Sequence, residues 1–194
     1  MEYISTRNTQ EIFSFKNVFL NGLASDGGLY TPKQMPLYSN QDLEQLRNFS
    51  YQELAAKIIS DFCAEEFSEF EIKTIVEKSY KDFRVKDVVT VNKFGKINLL
   101  ELFHGPTLAF KDIAMQAIGN MYENILEKSK LKVNVVVATS GDTGAAAISA
   151  IKNRKNMKIF VLHPENKISD VQRKFMTTVE ARNVFNIGLA GNFD

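Results

Sequence analysis

The chain has 194 residues, of which 44% are hydrophobic and 24% are charged, and its formal net charge at pH 7 is +1. This composition is typical of a globular protein with a sizeable core. The balanced charge, without long runs of Lys or Arg, argues against binding to nucleic acid or to an anionic membrane surface. Cys63 is the only cysteine, which excludes an internal disulfide and a metal site built from several thiolates.

The amino terminus predicts no targeting segment. Residues 1–7 lack the apolar core of a signal peptide, and no stretch approaches the roughly 20 apolar residues that a membrane span requires. A single cysteine also fits a reducing compartment. We therefore expect a cytoplasmic protein that contacts neither membranes nor nucleic acid.

Residues 1–95 are predicted to form a mainly helical amino-terminal region. Thr9 is a candidate cap for a helix over residues 10–21, which ends at Gly22. Two later helices are indicated by capping boxes, Ser50-x-x-Glu53 and Ser68-x-x-Glu71, in which the serine and the acid each bond the other's backbone N–H.

Residues 96–194 predict an α/β region with an open, mostly parallel sheet and flanking helices. Apolar runs at 97–103, 133–139, 158–162 and 184–189 alternate with helical patterns at 112–128 and 143–152, and with a helix that begins at Ser169-x-x-Gln172. In such sheets ligands bind at the carboxyl ends of the strands. The loops after Phe103, Thr139 and Leu162 are therefore the places to look for chemistry.

The loop over residues 138–147 has the character of an anion-binding turn. It passes from a strand through Gly141 and Gly144 into a helix, with hydroxyls at Ser140 and Thr143. Backbone N–H groups at the amino end of a helix suit a phosphate or carboxylate. The glycine and lysine spacing fits neither a Walker A loop nor a dinucleotide fingerprint. The alternative is a tight turn that only connects a strand to a helix.

Lys111 stands at the start of the helix predicted over residues 112–128, after apolar Leu108, Ala109 and Phe110. A cation at this end opposes the helix dipole, and apolar surroundings also disfavour the ammonium form. A neutral lysine amine is what imine chemistry with an aldehyde cofactor requires. The alternative, a solvated surface lysine, is the commoner one for a lysine at such a position.

The two histidines do not predict a metal site, because His104 and His163 lack the spacing of metal ligands. His104 follows the strand predicted at 97–103. It is a candidate acid or base in the cleft, or a residue that bonds a backbone carbonyl at the strand end, and we favour the second interpretation.

Two long motifs give the chain a specific resemblance. Residues 100–112 read Leu-Glu-Leu-Phe-His-Gly-Pro-Thr-Leu-Ala-Phe-Lys-Asp, and residues 138–147 read Ala-Thr-Ser-Gly-Asp-Thr-Gly-Ala-Ala-Ala. The first resembles the cofactor-lysine segment of threonine synthases, which are pyridoxal-phosphate enzymes of fold type II, and the second resembles their Ser-Gly-Asp-Thr-Gly loop. Residues 3–7, 22–32 and 172–184 follow the same family pattern in order.

The resemblance implies a function and a set of site residues. It implies that Lys111 holds pyridoxal 5'-phosphate covalently and is the catalytic residue, with Phe110 and Asp142 beside the cofactor. It further implies that the loop binds the substrate, O-phospho-L-homoserine, which reacts with water to give L-threonine and phosphate. The residues expected to bind the substrate are Thr139, Ser140, Gly141, Thr143 and Gly144.

The chain stops at Asp194, whereas the family continues for a comparable length or more. The resemblance therefore implies an amino-terminal portion, an incomplete fold of type II that lacks the glycine-rich cup for the cofactor phosphate. We expect these 194 residues alone to be inactive. An incomplete sheet leaves edges and apolar faces uncovered, so we also expect self-association.

Two alternatives remain open at this point. One is a related pyridoxal-phosphate lyase, such as a phosphohomoserine lyase or a hydroxy-amino-acid dehydratase, which shares the lysine and the loop. The other is a non-catalytic binding module in which Lys111 is vestigial. Fold alone does not choose among them, because function resides in sites.

Overall fold

The computed structural model describes residues 1–165 and 167–191. The chain divides into two compact units, Met1–Glu77 and Lys78–Asp194. The boundary predicted between residues 95 and 96 stays a prediction of domain organisation. Within the described residues, no helix combines the length and the apolar character needed to cross a membrane.

The first unit contains a small antiparallel strand pair and several helices. Its elements are β1 (Tyr3–Ser5), α1 (Phe15–Asn21), β2 (Tyr30–Pro32), α2 (Asn40–Leu46), α3 (Tyr51–Cys63) and most of α4 (Glu69–Tyr80). The capping boxes predicted at Ser50 and Ser68 are confirmed, since each serine and its partner acid bond each other's backbone N–H. The unit's core includes Cys63, Phe67, Ile72, Ile75 and Val76.

The helix predicted over residues 10–21 is shorter in the structure, and the cap assigned to Thr9 is wrong. Ser14 is the cap, and its hydroxyl accepts from the Asn17 N–H. The preceding residues are held differently, because Phe13 exchanges two backbone hydrogen bonds with Tyr3. The predicted end at Gly22 is confirmed, with φ of +72° at this glycine.

The second unit contains a hairpin, three further helices and a parallel sheet. Its elements are β3 (Thr90–Phe94), β4 (Ile97–Glu101), α5 (Lys111–Ser129), β5 (Val133–Ala138), α6 (Asp142–Ile151), β6 (Met157–Pro164), α7 (Asp170–Thr177) and β7 (Val184–Leu189). Strands β5, β6 and β7 are parallel and adjacent in that order. The predicted α/β class, with helices around a parallel sheet, is confirmed.

The parallel sheet has one covered face and one exposed face. On the covered face, helices α6 and α7 pack so closely that a Cβ on Gly144 would lie 2.6 Å from both Met176 Sδ and Thr139 Cγ2, and 3.1 Å from Val161 Cγ1. Ile148, Ile159, Val161 and Met176 are fully buried. The large apolar side chains exposed on the other face are Val136, Phe185, Ile187 and Leu189.

The interpretation of residues 97–103 as a buried parallel strand is wrong. Strand β4 pairs antiparallel with β3 in a two-stranded hairpin that is separate from the parallel sheet. Ile97 is 68% exposed and Leu100 is 53% exposed. A continuous apolar run is typical of a strand buried on both faces, but the run itself does not say which strand it pairs with.

Candidate active site

The loop after β5 is organised by Thr139. This residue is buried, and its hydroxyl oxygen accepts hydrogen bonds of 3.0 Å from the backbone N–H groups of Gly141 and Gly144. Gly141 has φ of +139°, a conformation that glycine adopts readily and other residues rarely do. Thr139 therefore fixes the path of the loop from inside, and its predicted contact with substrate stays a prediction.

The outer side of this loop carries polar groups that suit an anion. Ser140 and Asp142 are exposed, and Thr143 is half-buried. The Asp142 and Thr143 N–H groups have no hydrogen-bond partner in the described part of the chain. These are the first two N–H groups of α6, a ten-residue helix, so the helix dipole adds to their attraction for a negative charge.

The segment before α5 is held in place by Asp112. Its carboxylate is fully buried and accepts a 2.7 Å hydrogen bond from the Thr107 N–H and a 2.8 Å bond from the Thr107 hydroxyl. Leu108 has φ of +63°, the left-handed region that side chains seldom adopt. A Cβ on Gly105 would lie 2.5 Å from Asp112 Cβ, so this segment is packed tightly around the carboxylate.

Lys111 follows directly on this braced segment as the first residue of α5. It is half-buried, and its Nζ lies 4.4 Å from the centroid of the Phe110 ring, a cation–π distance. No ion pair to Lys111 occurs among the described residues. Its amine is therefore not committed to a carboxylate, and the Phe110 ring, 58% exposed, lies beside it.

Helices α5 and α6 run side by side with their amino ends in the same direction. Gln116 Nε2 donates to Ser149 Oγ at 3.3 Å, and farther along Arg154 Nη1 donates to Glu123 Oε2 at 2.5 Å. Between these contacts the backbones approach closely at Gly119, where a Cβ would lie 2.8 Å from the Ala150 carbonyl oxygen.

The contacts between α5 and α6 indicate where Lys111 lies relative to the amino end of α6. Gln116 and Gly119 of α5 meet Ser149 and Ala150 of α6, so the residue numbers advance together along both helices. Because the two helices run in the same direction, Lys111 at the start of α5 and the first turn of α6 lie toward the same end of the pair. The structure thus brings the two predicted motifs to the same end of one helix pair.

His104 is placed differently from our interpretation of it. Its Nε2 lies 3.1 Å from Thr90 Oγ1 and 3.2 Å from Glu101 Oε2, and within the described residues no backbone carbonyl accepts a hydrogen bond from the ring. The Thr90 hydroxyl also donates to Glu101 at 2.7 Å. These hydrogen bonds, first that from Thr90, lower the pKa of the Glu101 carboxyl. The pairing braces the end of the β3–β4 hairpin.

The sequence motif at 100–112 contains Asp112 but does not identify its hydrogen-bond partner. The signal that could have found it is the small cluster Gly105-Pro106-Thr107 five to seven residues earlier, which is typical of a tight turn around a side chain. Groups of three or more potential metal ligands do not occur among the described residues.

The chain is similar to known proteins both in sequence and in fold. The family model described as "Threonine synthase N terminus" matches residues 2–80. That range nearly coincides with the first compact unit, Met1–Glu77. The match therefore concerns the first unit and does not reach Lys111 or the loop after β5.

Similarity to whole threonine synthases extends over the entire chain. The chain is 42% identical to a threonine synthase of Pseudomonas aeruginosa, and the alignment covers 100% of this chain and 42% of that protein. It is 37% identical to "Threonine synthase-like 2" of Rattus norvegicus, covering 40% of that protein. The chain thus spans about two fifths of the length of these relatives.

A solved structure gives the same result for the fold. The structure of a threonine synthase from Brucella melitensis with bound pyridoxal phosphate superimposes with a TM-score of 0.93 at 39% identity, covering 100% of this chain and 42% of that one. The resemblance to the amino-terminal portion of threonine synthases is therefore confirmed.

Proposed function

We propose that this chain supplies the cofactor lysine and the substrate loop of a threonine synthase, which converts O-phospho-L-homoserine and water to L-threonine and phosphate. The observation that carries the proposal is the parallel packing of α5 and α6, because the amino end of α6, which suits an anion, then lies toward the same end of the pair as Lys111. The relative with bound pyridoxal phosphate supports the choice of cofactor.

The residues present fit pyridoxal phosphate. The cofactor's aldehyde needs a lysine amine that is reachable and not paired with an acid, and Lys111 is half-buried with no ion pair among the described residues. Phe110 beside it offers an apolar surface for a ring. When bound, the cofactor supplies a conjugated ring that accepts electron density from the substrate's α carbon.

In this proposal the loop after β5 holds the substrate by its carboxylate. The Asp142 and Thr143 N–H groups and the Ser140 and Thr143 hydroxyls are the donors, because they lie on the outer side of the loop at the positive end of α6. The glycines at 141 and 144 leave room for Gln172 and for Met176, which pack against the loop, and their own contacts with substrate stay a prediction. Thr139 acts through these two glycines by anchoring their N–H groups.

Lys111 also moves the protons. Its Nζ takes the proton from the substrate's α carbon and serves as the proton carrier at the β carbon, since Lys111 is the first residue of α5 and its amine has no ion pair among the described residues. Phosphate then leaves from the γ carbon with the bonding electrons, and the γ carbon takes up a proton to become the methyl group. Water adds its hydroxyl at the β carbon, and a proton returns to the α carbon. Asp112 contributes by fixing the segment that presents Lys111.

Location and assembly belong to the same proposal. A biosynthetic enzyme with this small polar substrate fits the cytoplasm.

We also propose that the 194-residue chain self-associates through the exposed face of its parallel sheet, where Val136 is 66% exposed and Leu189 is 47% exposed. Sedimentation at increasing concentration tests this, because a chain that stays monomeric at 100 micromolar would contradict it.

A chimaeric enzyme tests the proposed reaction. These 194 residues replace the matching 42% of the Pseudomonas aeruginosa threonine synthase, and products from O-phospho-L-homoserine are identified. We expect equimolar threonine and phosphate, no turnover when Lys111→Ala is introduced, and no phosphate release by the 194 residues alone. Lys96→Ala, in the exposed turn of the hairpin, is the control and should retain activity.

The same experiment separates the alternatives. If 2-oxobutanoate replaces threonine as the product, the chain supplies the site of a related lyase, an outcome that its similarity to a threonine synthase-like protein makes worth measuring. If the Lys111→Ala chimaera is as active as the unsubstituted one, Lys111 is not the cofactor lysine and a non-catalytic role for this chain is favoured.

A further inference from the structure

Gln172 joins helix α7 to the loop after β5 through a single side chain. Its Oε1 accepts from the Ser169 hydroxyl at 3.0 Å and from the Ser169 N–H at 3.4 Å, which closes the capping box of α7. Its Nε2 donates a 2.9 Å hydrogen bond to Asp142 Oδ1. One amide therefore serves both the start of α7 and the start of α6.

The same side chain also packs against the backbone of the loop. A Cβ on Gly141 would lie 2.7 Å from Gln172 Cδ and 2.8 Å from Gln172 Cβ. Glycine is therefore required at position 141 for space as well as for its φ of +139°. Gln172 packs on the Cα of Gly141, whereas the Thr139 hydroxyl accepts from the Gly141 N–H.

The choice of an amide at position 172 is informative, because a capping box accepts Glu as well as Gln. The three other boxes seen in the described residues close with an acid: Asp42, Glu53 and Glu71. Only an amide can accept from Ser169 and also donate to the Asp142 carboxylate. A glutamate at position 172 would instead bring a second negative charge to a helix end that suits an anion.

We propose that Gln172 is the positioning residue of the substrate loop: through Asp142 it sets the direction in which the Ser140 hydroxyl and the first N–H groups of α6 face. The identity of the ligand rests on the proposed function, whereas the geometry of the link does not. The order of the loop after β5 therefore depends on helix α7 as well as on the parallel sheet.

Gln172→Glu in the 194-residue chain without cofactor is the direct test. The substitution keeps the capping box and removes the donor to Asp142. We expect amide hydrogen exchange at Gly141 and Gly144 to become about tenfold faster, the size expected from the loss of one hydrogen bond to a charged group. The melting temperature should change little, because the box of α7 is retained.

The double variant Asp142→Asn with Gln172→Glu should restore slow exchange, since an asparagine amide at position 142 can donate to the glutamate. Ser169→Ala is the control for capping alone; it should lower the melting temperature and leave exchange in the loop unchanged. Normal protection in the Gln172→Glu variant, or no recovery in the double variant, would overturn the proposal. Cofactor labelling of Lys111 is scored separately, so failure of the proposed function is distinguishable.

Discussion

The Asp112 carboxylate is fully buried and accepts two hydrogen bonds, both from Thr107. A buried carboxylate is tolerated only where such donors compensate for lost hydration. At the scale of single residues, this pair explains how the segment before α5 keeps Leu108 in a left-handed conformation and presents Lys111 at the helix start.

Thr107→Val tests this role, because valine keeps the shape of threonine and removes the hydroxyl donor. We expect the free energy of unfolding to fall by about 2 kcal/mol, the range for a hydrogen bond to a charged group. Thr177→Val is the matched control; that hydroxyl is exposed and bonds only the carbonyl of Arg173, so the cost should stay within about 0.5 kcal/mol. Urea unfolding of both variants gives the comparison, and equal costs would contradict the assignment.

The burial of Cys63 predicts that the stability of the folded chain decreases at alkaline pH. Burial, with a smaller contribution from the charge of Glu66, raises the pKa of the Cys63 thiol to about 12 from an ordinary value of 9.0. The unfolded thiol therefore loses its proton first as pH rises above about 9, and stability declines between that pH and the folded pKa. Burial likewise raises the pKa of Tyr3 to about 12, which acts in the same direction.

Iodoacetamide measures this protection directly. At pH 8 the folded chain should be alkylated no faster than it unfolds, whereas chain unfolded in urea should react within minutes. The midpoint of urea unfolding should also fall between pH 8 and pH 10.5. Rapid alkylation of the folded chain would show that Cys63 is accessible and would remove the basis of the pH prediction.

Among the elements, α5 and α6 decide the geometry of the candidate site. Their closest approach is at Gly119, where an added Cβ would meet the Ala150 carbonyl oxygen at 2.8 Å. Alanine normally favours a helix over glycine by about 1 kcal/mol. Here the contact is with backbone, which cannot move aside as a flexible side chain would.

Gly119→Ala should therefore destabilise the chain, by about 1–3 kcal/mol, as overpacked sites do. Ala114→Gly, at an exposed position of the same helix, is the control and should cost about 1 kcal/mol through helix propensity alone. Thermal unfolding of the two variants separates packing from propensity. A stabilising effect of Gly119→Ala would contradict the close packing of α5 on α6.

Elements with strong local signals could be predicted from the sequence. The boxes at Ser50, Ser68 and Ser169 marked helix starts correctly, because capping depends on residues three apart in sequence. The hairpin β3–β4 was missed, because the apolar run at 97–103 has the hydrophobicity of a buried strand whatever its partner. Pairing depends on contacts that local patterns do not contain.

For the whole molecule, the sequence predicted the α/β class and two motifs, but it related the motifs through a strand at 97–103 that is not part of the parallel sheet. The spatial relation of the two motifs depends on how α5 packs on α6, through Gly119 against Ala150 and Gln116 against Ser149. The link from Gln172 to Asp142 was missed for the same reason, since these residues are thirty positions apart. Long-range contacts of this kind are what the structure adds.

The proposed function requires that pyridoxal phosphate attaches to Lys111. Incubation of the chain with pyridoxal phosphate, borohydride reduction and peptide mass analysis test it, with Lys111→Ala and Lys96→Ala measured in parallel. We predict a stoichiometric adduct on the Lys111 peptide that disappears in Lys111→Ala and persists in Lys96→Ala. Labelling that is spread over many lysines and is unchanged by Lys111→Ala would contradict the attachment of pyridoxal phosphate to Lys111.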